Sequence, residues 1–118
     1  MPERRIGTRH LVSFPIRVEW LGDDGETVFD EGLTENVGPN GTLIHLQRAL
    51  PEVGASVTVT VTERPKSPVT VEGYVIRLER NAGHPQAALQ ITGDVEQWQT
   101  EVWEYAGKLL EAREAAKK

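Results

Sequence analysis

Two short stretches hold the side chains best suited to chemistry: Arg4-Arg5-Ile6-Gly7-Thr8-Arg9 and Asn36-Val37-Gly38-Pro39-Asn40-Gly41. The chemistry they suit is recognition of an anion or a base. A guanidinium presents a planar fork of donors that grips a phosphate, or the O6/N7 edge of guanine, through two parallel hydrogen bonds. Glycines let backbone N–H groups come close to the same ligand. Arg4, Arg5, Arg9 and His10 face only Glu3 within the first ten residues, whereas the whole chain of 118 residues carries a formal net charge of -5. Such a chain repels nucleic-acid polymer and anionic lipid surfaces, so the expected ligand of the arginines is small and held locally.

The remaining composition narrows the possibilities. The chain contains no cysteine, so a disulfide framework, a redox CxxC pair and a thiolate metal site are all excluded, and a reducing cytoplasm suits it. His10, His45 and His84 stand singly, without the spacing of a metal-ligand pair. No Ser/His/Asp arrangement around a nucleophile elbow, HExxH or P-loop is present, and the acidic pairs Asp23-Asp24 and Asp30-Glu31 fall at turns or strand ends. The expectation is a protein that is not an enzyme and that carries no metal or cofactor. No apolar run reaches the roughly 18 residues of a membrane span, and the first residues do not form a secretion signal.

The elements that must position the two stretches follow from periodicity. Val12, Phe14, Ile16, Val18 and Trp20 alternate with polar residues, as in a half-buried strand. Gly22-Asp23-Asp24-Gly25 predicts a turn and Thr27 to Leu33 a return strand. After the loop at residues 36–41, Thr42 to Leu46 forms another strand, and Val57, Val59 and Val61 point inward from Ser56 to Thr62. From Val69 to Arg80 a long strand changes phase around Gly73: Val69 and Val71 precede it, Tyr74, Ile76 and Leu78 follow. A glycine at a phase slip predicts a bulge or bend there. Gln86 to Ile91 completes the strands. Beyond Gly93 the period becomes 3.6, with Asp94 as N-cap, Gln97 at the capping-box position, and Trp98, Val102, Tyr105 and Leu109 on one stripe. The expected fold is mainly β: a single domain over residues 1–118, built as a small six-stranded antiparallel β-barrel (residues 11–92) and a C-terminal α-helix (residues 94–117). Residues 1–10 form a mobile arginine-bearing segment in this reading.

The order and separation of these stretches resemble the PilZ domain, the bacterial receptor module for cyclic di-GMP. The stretch R-R-x-x-x-R ahead of Phe14-Pro15-Ile16-Arg17-Val18 is similar to the family's arginine loop and first strand. Arg5 and Arg9 match the two motif arginines, and Arg4 the additional arginine that often precedes them. The second family motif is Asp or Asn, any residue, Ser, any two residues, Gly. Asn36 and Gly41 match its ends, while Gly38 stands where the family has serine. Glu31-Gly32-Leu33-Thr34, Thr42-Leu43-Ile44 and the strand Val71 to Arg77 extend the resemblance over roughly residues 4 to 92.

The resemblance implies a cytoplasmic, non-enzymatic sensor that binds cyclic di-GMP, changes conformation and regulates a partner. Arg5 and Arg9 would contact guanine and phosphate, Arg4 would assist, Asn36 would bind a guanine edge, and Gly38 and Gly41 would admit close backbone approach. The alternative is a degenerate PilZ-like protein-interaction module that no longer binds the nucleotide; the missing serine favours it. Trp103 and Leu110, seven residues apart beside the main helical stripe, would then offer a surface to a downstream protein or a second copy. An OB-like binder of single strands shares the small barrel, but the acidity and the scarcity of aromatic residues outside the helix oppose it.

Overall fold

Alternating valines and isoleucines need a surface to bury against on one side only, and in this chain a sheet curled on itself provides it. The computed structural model describes residues 8–63 and 67–116. Its strands are β1 (Pro15–Leu21), β2 (Thr27–Val37), β3 (Gly41–Leu46), β4 (Ser56–Val61), β5 (Val69–Asn81) and β6 (His84–Gly93). They form a closed antiparallel barrel in the order β1-β2-β3-β6-β5-β4, in which β4 pairs back onto β1 through Ile16↔Val61 to Glu19↔Thr58. Closure leaves no strand edge open to pairing with another chain.

Ile16, Val18, Val37, Ile44, Leu46, Val57, Val59, Val61, Val71, Val75 and Leu89 fill the interior. Each such side chain contributes roughly 1.5 to 3 kcal/mol on burial. Val57, Val59 and Val61 all point inward, as their alternation predicts, and Val12 and Phe14 are buried ahead of β1. The Thr34 hydroxyl accepts from the Phe14 N–H at 2.8 Å and itself donates to the Val12 carbonyl, which holds this entry segment across the barrel.

Two bulges reset the phase of long strands. In β2, Thr34 pairs with Ile44 and Asn36 with Leu43, so Glu35 is an extra residue. In β5, Val75 pairs with Leu89 and Arg77 with Ala88, so Ile76 is the extra residue. The phase slip read at Gly73 therefore falls three residues later. Gly73 and Val75 continue the inward series, Tyr74 and Ile76 lie exposed, and Leu78 returns to the core. Glycine at 73 has a different cause. A Cβ there would sit 2.3 Å from the Gln90 carbonyl oxygen of β6, so no side chain fits. A further irregularity lies opposite, on β6, where Glu72 pairs with Gly93 and Gly73 with Ile91.

The C-terminal helix is one rod with a widened turn: α1 (Val95–Trp98), a π-helical stretch Gln99–Trp103, and α2 (Glu104–Ala116). Residue 117 lies outside the described residues. Asp94 does not cap by its side chain; it adopts φ 59°, and its backbone carbonyl accepts from the Trp98 N–H at 3.0 Å. Trp98, Val102 and Ala106 are fully buried against the barrel, with Tyr105 and Leu109 packed at the margin. Among the described residues no helix is long and apolar enough to cross a membrane.

Candidate functional site

The bulge in β2 decides where Asn36 points. Gly32 and Thr34 face inward, so an unbroken strand would carry residue 36 inward as well; the extra residue Glu35 turns Asn36 outward and leaves Val37 in the core. Bulges re-aim side chains in this way beside binding sites. Next to it the entering chain forms an isolated bridge: His10 N–H donates to the Val37 carbonyl at 2.8 Å, and Val37 N–H to the His10 carbonyl at 2.9 Å. That bridge sets Arg9 beside Asn36, and Arg9 Nη1 donates to Asn36 Oδ1 at 2.7 Å across 27 residues of sequence.

The glycines complete the arrangement. A Cβ on Gly38 would lie 3.4 Å from Arg9 Cγ and Nη1, so the loop backbone passes directly beneath the guanidinium. At Gly41 a Cβ would lie 2.7 Å from the Leu89 carbonyl oxygen, which gives this glycine a reason within the barrel itself. Arg9, Asn36, Gly38 and Gly41 thus converge on one outer face. Arg4 and Arg5 lie outside the described residues.

Two tryptophans hold both stretches in place: Trp98 faces the barrel, as its place on the helical stripe predicts, whereas Trp103 lies beside that stripe. Trp98 Nε1–H donates to the Gly38 carbonyl at 2.9 Å from a buried position, and Gln99 Nε2–H to Asn40 Oδ1 at 2.9 Å. Five residues on, Trp103 Nε1–H donates to the Thr8 carbonyl at 2.7 Å, and its ring stacks on His10 at 5.8 Å between centroids. The two indoles, five positions apart in sequence, are joined by the π-helical stretch, with one on the glycine loop and the other on the arginine segment. Trp103, read from sequence as a surface for a partner, thus engages its own chain. The only hint in the sequence was a second tryptophan, Trp103, five residues beyond Trp98 and beside the main helical stripe.

The histidines also find partners. His45 and His84 stack at 4.2 Å where β3 pairs with β6, and His84 Nε2 lies 2.8 Å from Glu35 Oε2. Among the described residues no three acidic, histidine or cysteine side chains form a group able to hold a metal ion. Elsewhere, Asp30 of β2 is buried against the start of the β3–β4 connection and accepts from the N–H groups of Glu31, Arg48 and Ala49 and from Arg48 Nε. It fixes a loop and does not face the Arg9 site.

Arg9 and Asn36 form one end of a cleft of about 260 Å³ whose lining includes Leu43, Ala88 and Ile76. A closed six-stranded antiparallel barrel with one helix across its flank, carrying arginine, asparagine and glycine on one outer face, defines a class of small β-barrel domain. Comparison with solved structures makes it particular: the chain has the fold of the PilZ domain. The PilZ domain of YcgR from Escherichia coli, determined with c-di-GMP, matches with a TM-score of 0.64 at 18% identity over 98% of this chain and 99% of that one. The PilZ domain of CeSA from a cellulose-synthesizing bacterium matches with a TM-score of 0.62 at 17% identity, over 87% of this chain and 98% of that one. The MrkH–c-di-GMP complex from K. pneumonia matches with a TM-score of 0.64 at 13% identity, and there the chain covers 97% of itself but 56% of the longer protein. No family model matches the sequence, and no curated protein does.

Proposed function

We propose that this chain is a receptor domain for cyclic di-GMP. The observation that carries the reading is the convergence of Arg9, Asn36 and Gly38, brought together from 27 residues apart by the 2.7 Å Arg9–Asn36 hydrogen bond. Solved neighbours with the same fold were determined with this nucleotide, which supports the same ligand class here. Arg5 and Arg9 bind guanine edges and phosphate, Arg4 assists by charge or stacking, Asn36 binds a guanine edge, and the glycines admit the ligand close to the backbone. The domain catalyses nothing in this reading. Nucleotide extends the docking already made by Arg9 and His10 to the arginines ahead of them and alters the surface offered to a partner.

Calorimetric titration with cyclic di-GMP, with GTP and a short oligonucleotide as controls, tests the reading. Alanine at Arg5 or Arg9 removes a charge-assisted contact and should cost about 1.5 to 3 kcal/mol, with affinity falling as salt rises. Hydrogen exchange across residues 3 to 10 should slow on saturation. Unchanged titrations for both variants refute the assignment. The second reading, an interaction module that has lost the nucleotide, is favoured by the glycine at position 38, and absence of binding by the unaltered protein supports it.

A further inference from the structure

The two bulges do the same thing at opposite ends of one row. Without the extra residue Ile76, the inward series Gly73, Val75 would carry Arg77 into the barrel; the bulge turns it outward, as the bulge at Glu35 turns Asn36. Register places both on a single transverse line over the outer face: Asn36 opposite Leu43, Leu43 opposite Ala88, Ala88 opposite Arg77. Three strand spacings separate Asn36 from Arg77, about 14 Å at the backbone. Between them Leu43 and the small Ala88 form an apolar floor, and Ile76, 46% exposed, stands beside Arg77 as a wall. The floor suits the face of a base.

Resting on the receptor reading, we infer that Arg77 is a specificity-determining residue that reads the O6/N7 edge of a guanine lying on the Leu43–Ala88 floor. The neighbouring carboxylate favours a base over a phosphate here. Arg77 Nε donates to Glu79 Oε2 at 2.8 Å, which orients the guanidinium and leaves its two Nη groups without a partner among the described residues. Glu79 also sets a negative charge at this end of the cleft, which repels a phosphate but not a neutral guanine edge. Adenine offers an amino donor where guanine has O6, so the same fork discriminates against it. A cleft of about 260 Å³ accepts one base of a cyclic dinucleotide rather than the whole ligand.

The test is titration of the unaltered protein, Arg9→Ala, Arg77→Ala, Arg77→Lys and Arg80→Ala with cyclic di-GMP and with cyclic di-AMP. Arg77 is 60% exposed, so its variants should keep the melting temperature, checked in parallel. Arg77→Ala should weaken cyclic di-GMP binding about tenfold and leave the weaker cyclic di-AMP binding unchanged. Arg77→Lys should recover little, since an ammonium lacks the fork, and Arg80→Ala should change nothing. Equal weakening toward both nucleotides, or a loss in Arg80→Ala matching that in Arg77→Ala, overturns the guanine assignment. Binding that is lost in Arg9→Ala but intact in Arg77→Ala overturns the role of Arg77 alone. No binding by the unaltered protein sinks the receptor reading and this assignment with it.

Discussion

Serine in place of Gly38 restores the one motif position at which this chain departs from the PilZ pattern. Gly38 is not among the residues with positive φ, so a side chain meets no backbone strain there. The added Cβ would lie 3.4 Å from Arg9 Cγ and Nη1, an ordinary contact with a flexible side chain, and the hydroxyl, one bond further out, would come within reach of the guanidinium. Two effects add. Removing a glycine restricts the unfolded chain by about 0.4 to 1 kcal/mol. A hydroxyl bonded to a charged group contributes about 1.5 to 3 kcal/mol if fully formed, and about 0.5 to 1.5 kcal/mol if it behaves as a neutral pair. Calorimetry should record a melting temperature higher by about 3 to 5 °C for 1 kcal/mol. Titration should show cyclic di-GMP affinity increased from a few-fold to about tenfold, at about 1.4 kcal/mol per tenfold. A lower melting temperature would refute the steric reasoning. A stable serine variant that binds no nucleotide, like an unaltered protein that binds none, would favour the interaction module over the receptor.

Gly41→Ala should destabilise the fold by about 1 to 3 kcal/mol, because its Cβ would press on the Leu89 carbonyl at 2.7 Å; an unchanged urea midpoint contradicts this. Burial by itself raises the Asp30 carboxyl, but the Arg48, Ala49 and Glu31 N–H groups and the Arg48 guanidinium outweigh it and hold the group below its ordinary 3.8. A carboxylate lowered on folding stabilises fully above that value and loses its contribution as pH falls through the folded one. The cost of Asp30→Asn in urea unfolding should therefore be largest near neutrality and shrink from about pH 4 downward, and a cost independent of pH would count against the carboxylate. Trp103→Phe deletes the indole bond to Thr8 while keeping a ring against His10. Amide exchange at His10 and Val37 should quicken and cyclic di-GMP affinity should fall a few-fold, whereas unaltered exchange at both amides would show that the indole does not hold the bridge.

Local periodicity was enough to determine the barrel's walls and the existence of the helix, because burial on one face imposes a period of two on a strand and 3.6 on a helix. Val57, Val59 and Val61 face inward, and Trp98 and Val102 face the barrel, for that reason alone. Residue type and spacing likewise singled out Arg9 and Asn36 as a pair that could share a ligand. Apolarity did not reveal which side Tyr74 and Ile76 take: a barrel's outer face tolerates exposed apolar residues, and the inward place at 73 belongs to a glycine because the β6 backbone passes too close for a side chain. The bulges at Glu35 and Ile76, which turn Asn36 and Arg77 onto one outer row, exist only as mismatches between paired strands. The tethers from Trp98 to Gly38 and from Trp103 to Thr8 span 60 and 95 residues, and they depend on a π-helical turn for their joint reach. Register and long-range hydrogen bonds are properties of two segments at once, so tertiary structure alone decided them.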